Sequence, residues 1–428
     1  MPRRFVQLSI PLIAIVLLGA GAFAAEPDAS TWPNPYLATV AGPPAQLKAE
    51  VPATIPLKVR RLPQYAGREI PDALHYGARL EYSYAKQKGP APLVFVIAGT
   101  GAAHDSALMQ FLMRVLYAAG LHVVGITSPT HPAFIISASS TQVPGEQRHD
   151  AQDLYDAMQR IRAEIAPQMQ VTAFYLTGYS IGGTNAAFVA MLDEERHAFD
   201  FEKVLLLDPC VDLYTTISKL DRFLENIPGG IDNLDKTLQK IADRIGATTS
   251  STTALMFSPD LAFAALRRDP PSNEELIALI GMSFRLAASS LIFTSDVMTD
   301  YGFIKPANVI LTPNTNLDDY VQVALRVGLT DYFHEFMWPY FVKAEATEAS
   351  TRTEFADLQS LKSIRPYLAS AQKIAVVGNR DDVLLGPGDI DFLVETFGAR
   401  AKIFVRGGHL GRLEERDVVA YIADYFKR

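Results

Sequence analysis

Two hydrophobic patterns alternate along this chain. "APLVFVIAGTG" (91–101) is a continuous apolar run ending in glycines, as expected of a strand buried on both faces. "DSALMQFLMRVLYAAG" (105–120) instead spaces Leu108, Phe111, Leu112, Val115 and Leu116 along one helical face, with Asp105 placed to cap its start and Gly120 to stop it. "HVVGITSP" (122–129) reads as a strand, "EQRHDAQDLYDAMQRIRAEIA" (146–166) as an amphipathic helix and "VTAFYLTGYS" (171–180) as a strand. A helix through about His197 and the strand "FEKVLLLDP" (201–209) continue the series, and "ARLEYSYAKQ" (78–87) ahead of it predicts a half-exposed strand. Strands alternating with helices of this length predict an α/β fold: a mainly parallel sheet of about eight strands with helices on both faces.

The alternation stops over residues 211–371. Segments such as "ISKLDRFLENI", "LDKTLQKIADRI", "NEELIALIGMSFRLAASSLIF" and "DDYVQVALRVGLTDYFHEFMW" there carry helix-like patterns without a convincing buried strand. Strand and helix resume at "KIAVVG" (373–378), "GPGDIDFLVETFG" (386–398), "AKIFVRGG" (401–408) and "RDVVAYIADYFKR" (416–428). The expected organisation is one core, residues 66–210 and 372–428, interrupted by a helical insertion at 211–371. Residues 25–65 are rich in proline and predict an extended lead-in over the surface.

The first residues change the compartment. Arg3 and Arg4, an apolar run from Ile10 to Leu18 and Ala22-Phe23-Ala24 form the three regions of a secretory signal peptide, residues 1–24. The apolar run is shorter than the roughly 20 residues a membrane span needs. The expectation is therefore export to the periplasm or medium, with no stable membrane span after cleavage. The whole chain carries 39 basic and 47 acidic residues, a net charge of −8. Without a basic block this argues against nucleic acid as a partner. The single cysteine, Cys210, ends an apolar run and reads as a buried, inert thiol.

The chemistry gathers at "GYSIG" (178–182), which fits G-x-S-x-G with a strand before it and helix-compatible residues after it. A nucleophilic serine on a sharp strand-to-helix turn needs unfavourable backbone and close approach of the neighbouring chain, which residues without a Cβ permit. Ser180 is thus the candidate nucleophile; the alternative is a polar residue in a tight turn.

With these elements the sequence resembles the α/β-hydrolase superfamily over roughly residues 78–210 and 372–428. The resemblance implies a triad in the order Ser…Asp…His and reads the insertion after the sixth strand as a cap over the serine. It implies a base on the loop after the last strand, where "VRGGHLGRL" (405–413) supplies His409. It implies an acid after "KIAVVG", where Asp381 and Asp382 are adjacent and Asp382 is preferred. Asp208, ending the preceding core strand, is a third candidate, because some lipases of this type take their acid there. An oxyanion hole would use the N–H of Ile181 and one from Thr100 or Gly101 in "IAGTGAAHD" (97–105), where Ala98 replaces the family's usual histidine. His104 in that loop could line the site.

No metal-ligand spacing, cysteine cluster or dinucleotide fingerprint occurs, so no cofactor or metal is expected. The resulting expectation is an exported serine hydrolase, carboxylesterase- or lipase-like, acting on a small-molecule or lipid-like ester through an acyl-enzyme. An aminopeptidase-like amidase would need carboxylates in the cap, for which Glu335, Glu345 and Glu348 are available. A hydrolase fold kept as a non-catalytic binding module is the reading from another class.

Overall fold

The computed structural model describes residues 33–65, 67–227, 229–230, 233 and 272–427. The predicted signal peptide and the helix-like segment 234–245 lie outside these residues. Eight strands form one sheet: β1 (Lys58–Arg61), β2 (Glu81–Ala85), β3 (Ala91–Ile97), β4 (His122–Ile126), β5 (Val171–Tyr179), β6 (Lys203–Leu207), β7 (Ile374–Asn379) and β8 (Ala401–Phe404). Their order across the sheet is β1-β2-β4-β3-β5-β6-β7-β8. β2 runs antiparallel to both neighbours and every pairing from β4 to β8 is parallel. β3 lies between β4 and β5, with Leu93 beside His122 on one side and Phe174 on the other.

The continuous apolar runs are explained by cover on both faces. On one side the short α3 (Pro132–Ser137), α4 (Gln147–Ile165) and α5 (Ile181–Arg196) bring Phe134, Leu154, Met158, Phe188 and Val189 into one core with Phe95, Leu176 and Leu206. On the other, α2 (Ala107–Ala118) and the C-terminal helix Arg416–Lys427 pack Leu112, Leu116, Ile422 and Phe426 against Val94, Val96 and Leu205. α2 begins one residue later than the sequence predicts: Ser106, not Asp105, is its N-cap residue.

Two other expectations change. β2 is buried on both faces, with Tyr82, Ser83, Tyr84 and Ala85 almost inaccessible, because Ser83 finds a polar partner in the His104 ring at 2.7 Å. The lead-in is structured as well. It holds a short helix, α1 (Pro35–Ala41), and the edge strand β1, whose Arg60 bonds Glu164 at 3.2 Å.

β6 leads into the helical region, which begins with α6 (Leu213–Phe223) and includes the 27-residue α7 (Asn273–Thr299). The stretch 318–338 is divided rather than one helix. Its helix Asp318–Ala324 stops, Gly328 passes against the Asp221 carboxylate, and the N–H groups of Leu329 and Thr330 donate to that carboxylate. A π-helical turn, Tyr332–Met337, follows. The region has its own apolar core, in which Phe336, Phe341 and Phe355 are fully buried.

Candidate active site

Ser180 stands between the end of β5 and the start of α5 at φ 56°, ψ −130°, a conformation L-residues avoid. The surrounding chain enforces it. The Ser180 N–H donates to Leu207 O on β6 at 2.9 Å. A Cβ on Gly178 would stand 2.1 Å from Gly182 O, and one on Gly182 would stand 2.4 Å from Ile97 O, so neither glycine tolerates a side chain. The serine is held in a strained turn at the N-terminus of a 16-residue helix, where partial positive charge favours a developing anion.

His409 lies on the loop after β8 with its ring buried. Its Nε2 is 3.0 Å from Ser180 Oγ, and its Nδ1 is 2.8 Å from Asp382 Oδ2. Asp382 comes from the turn after β7 and also accepts the Leu384 N–H at 2.8 Å. Burial by itself lowers the imidazole pKa, but the charge and hydrogen bond of Asp382 outweigh it, and the net shift is upward.

The other two candidate acids are nearby and differently employed. Asp381 accepts the Gly408 N–H at 2.9 Å. Asp208 takes a hydrogen bond from Asn379 Nδ2 at 3.1 Å, and the same amide group donates to Gly408 O at 2.9 Å. Burial and the neighbouring Asp382 carboxylate push the Asp208 pKa upward. Three carboxyl groups thus surround one loop, and Asp382 is the one bonded to the ring. Asn379 has no catalytic motif around it, and sequence alone did not single it out.

The placement of the serine decides the fold. It stands after the fifth strand of a sheet in which only β2 runs against the rest, at the turn into a helix, within reach of a histidine that follows the eighth strand. This is the α/β-hydrolase fold. Solved structures similar to this chain include an esterase from Pyrococcus furiosus, 10% identical with a TM-score of 0.43, over 87% of this chain and 91% of that one. A thermostable esterase from Pseudomonas putida is 14% identical with a TM-score of 0.40, over 92% and 88%. An acylaminoacyl peptidase from Pyrococcus horikoshii is 11% identical with a TM-score of 0.38, over 87% and 41%. No protein-family model matches the sequence, and no curated protein matches it significantly.

The loop after β3 passes close to the serine: a Cβ on Gly99 would stand 3.2 Å from Ser180 Cβ. Of the two expected donors there, Gly101 is committed, since its N–H bonds Thr130 Oγ1 at 2.8 Å. Thr100 lines the cavity beside Ser180 and Ile181. Ile181 opens α5, so its N–H has no intrahelical acceptor. His104 points elsewhere: its Nδ1 meets Ser83 Oγ at 2.7 Å and its Nε2 lies 3.5 Å from Glu81. Cys210 is buried with its Sγ 4.0 Å from Ser180 Oγ, a proximity the sequence did not reveal. Burial pushes its thiol up to about 12, so it stays protonated and is a poor nucleophile.

A narrow, partly open cavity lies above the serine. Its walls come from α6 (Leu213, Ile217, Leu220), α7 (Phe284, Leu291) and the π-helical turn (Tyr332, Phe333, Met337). Ser180, Ile181, Thr100 and Cys210 contribute the core side of the lining, and among the described residues none that lines it carries a formal charge. The aromatic residues of the helical region divide their work: Phe336 and Phe341 fill the region's own core while Phe284 and Phe333 face the cavity. Among the described residues no cluster of His, Cys, Asp and Glu has metal-binding spacing.

Proposed function

We propose that this protein is a serine hydrolase that cleaves carboxylic esters through an acyl-enzyme. The observation that carries the reading is the chain of contacts Ser180 Oγ, His409 Nε2, His409 Nδ1 and Asp382 Oδ2, at 3.0 and 2.8 Å, on the floor of an apolar cavity. His409 Nε2 takes the Ser180 proton as Oγ bonds to the ester carbonyl carbon. The carbonyl oxygen becomes an oxyanion that the N–H groups of Ile181 and Thr100 stabilise. The proton then passes from Nε2 to the departing alkoxide, leaving Ser180 acylated. Water, deprotonated by the same nitrogen, attacks the acyl carbon and releases the acid, and Ser180 recovers its proton. Asp382 holds the ring in the tautomer with hydrogen on Nδ1 and stabilises the imidazolium formed in each half-reaction.

The uncharged lining among the described residues supports a neutral, apolar acyl or alcohol group, and none of those residues offers a carboxylate to hold the amine of an aminopeptidase substrate. Glu335, Glu345 and Glu348 are exposed and do not line it. In this reading the helical region is the cap, and the segment Arg3 to Ala24 directs export to the periplasm or medium. A fluorophosphonate probe tests the enzyme reading. Labelling of the folded protein, lost in Ser180→Ala, is the expected result, and a folded wild type that takes no label would leave a binding module instead. N-terminal sequencing of the protein recovered from medium or periplasm tests export, with Ala25 or a near neighbour as the expected first residue.

A further inference from the structure

The lead-in helix α1 packs directly against the histidine loop. The His409 N–H donates to Thr39 Oγ1 at 2.9 Å, while the Thr39 hydroxyl spends its own hydrogen on Pro35 O at 2.7 Å. The direction of both bonds follows, because the hydroxyl has one hydrogen to give and lone pairs to accept with. Gly408 has φ +58°, and a Cβ there would stand 2.2 Å from Pro35 O and 2.5 Å from Thr39 Oγ1. α1 thus approaches closer than any residue but glycine would allow.

α1 is itself anchored on two sides. Asn34 caps it by accepting from the Tyr36 and Leu37 N–H groups, and its amide donates to Asn273 Oδ1 on α7. The Tyr36 ring meets Phe223 of α6 edge-on at 6.1 Å between centroids. Around the histidine, three consecutive backbone groups are each held by a different side chain. Asp381 accepts Gly408 N–H, Asn379 donates to Gly408 O, and Thr39 accepts His409 N–H. Two of these holds come from the β7 end of the core. The third comes from a helix remote in sequence, Thr39 and His409 being 370 residues apart.

We propose that Thr39 is a positioning residue for His409: its hydroxyl fixes the backbone from which the imidazole is aimed at Ser180. The proposal rests on the reading of Ser180, His409 and Asp382 as the reacting triad. A small displacement of the ring opens the 3.0 Å contact with Ser180 Oγ, and misplacements of about 1 Å cost on the order of 100-fold in rate. Substrate contacts in the cavity do not depend on this bond, so the loss falls on kcat.

The test compares Thr39→Val and Thr39→Ser in the full chain. Thr39→Val is expected to lower kcat on a p-nitrophenyl ester about 10-fold or more, with KM changed less than about 2-fold, and Thr39→Ser is expected to regain most of the loss. A second measurement follows the low-field proton of His409 Nδ1–H, assigned by its loss in His409→Gln. It should shift or broaden in Thr39→Val and return in Thr39→Ser. A Thr39→Val protein with wild-type kcat and an unchanged resonance overturns the proposal, as does a loss of kcat that serine does not restore. If the wild type neither turns over esters nor takes a fluorophosphonate but the resonance still responds to Thr39→Val, the hydrolase reading fails and the positioning role stands.

Discussion

Asp382 and His409 are joined by a 2.8 Å contact between Oδ2 and Nδ1, whereas Asp381, one residue earlier, bonds the backbone of Gly408. The adjacent carboxylates therefore do separable work. Asp382→Asn should lower kcat by about 10⁴-fold with little change in KM, the cost of presenting the wrong tautomer. Asp381→Asn and Asp208→Asn should each stay within about 10-fold of the wild type, because they loosen the loop without altering the ring's proton. Steady-state kinetics on one ester checks all three, and a near-wild-type Asp382→Asn would remove Asp382 from the mechanism.

The acid limb of the pH profile follows from the same contact. In the proposed mechanism His409 must be neutral to accept the Ser180 proton, and Asp382 raises its pKa above the ordinary imidazole value of about 6.5. kcat/KM should therefore fall as pH drops through a value above about 6.5. In Asp382→Asn the residual activity should have this limb displaced to lower pH, since the charge that raised the pKa is gone. A displacement to higher pH would contradict the assignment.

In the proposed mechanism the loop after β3 offers a prediction independent of Ser180, His409 and Asp382. Thr130 Oγ1 holds the Gly101 N–H and is itself 2.8 Å from Ser128 Oγ, so the loop following β4 braces the segment that carries Thr100. Thr130→Val keeps the shape and removes the acceptor. kcat should fall about 10-fold, less than the roughly 100-fold or more that complete removal of an oxyanion donor costs. Binding of a fluorophosphonate should slow in parallel, and equal rates in both proteins would mean that the brace is dispensable.

Much of this was legible in the chain, for identifiable reasons. The buried strands announce themselves by unbroken apolar runs, and the serine by glycines that the geometry needs: a Cβ at Gly178 or Gly182 would collide with backbone. β1 was not legible, because Lys58, Arg60 and Arg61 carry no apolar signal and the strand exists through its pairing with β2. Thr39 was hidden for a different reason. It belongs to a proline-rich stretch, and its importance lies in a contact 370 residues away. The acid could only be narrowed to three, since strand ends bring all of them to the same loop and the choice depends on side-chain direction.

The cavity predicts chain-length selectivity. Ile217 of α6 lines it with Leu220, Phe284 and Leu291, and none of these side chains contributes a polar atom. Ile217→Trp should fill part of the space and lower kcat/KM for p-nitrophenyl octanoate far more than for the acetate. The expected discrimination is about 10-fold or more, because each buried methylene is worth about 0.8 kcal/mol. Equal losses on both esters would mean that the acyl chain lies elsewhere.

A buried acid on α4 predicts a stability effect separate from catalysis. Asp153 accepts the Ser140 N–H at 2.8 Å, yet burial pushes its carboxyl up to about 6, well above the unfolded value near 3.9. A folded pKa raised in this way favours the protonated form. Its contribution is fully present below the unfolded value and is lost as pH rises through about 6, leaving a cost on the order of 3 kcal/mol at neutral pH. Asp153→Asn can still accept the Ser140 N–H and carries no charge. The variant should therefore match the wild type in denaturant midpoint near pH 4 and exceed it at pH 8. If the difference has the opposite sign, with the variant weaker at pH 8, the ionised carboxylate is stabilised by its surroundings and burial does not control it.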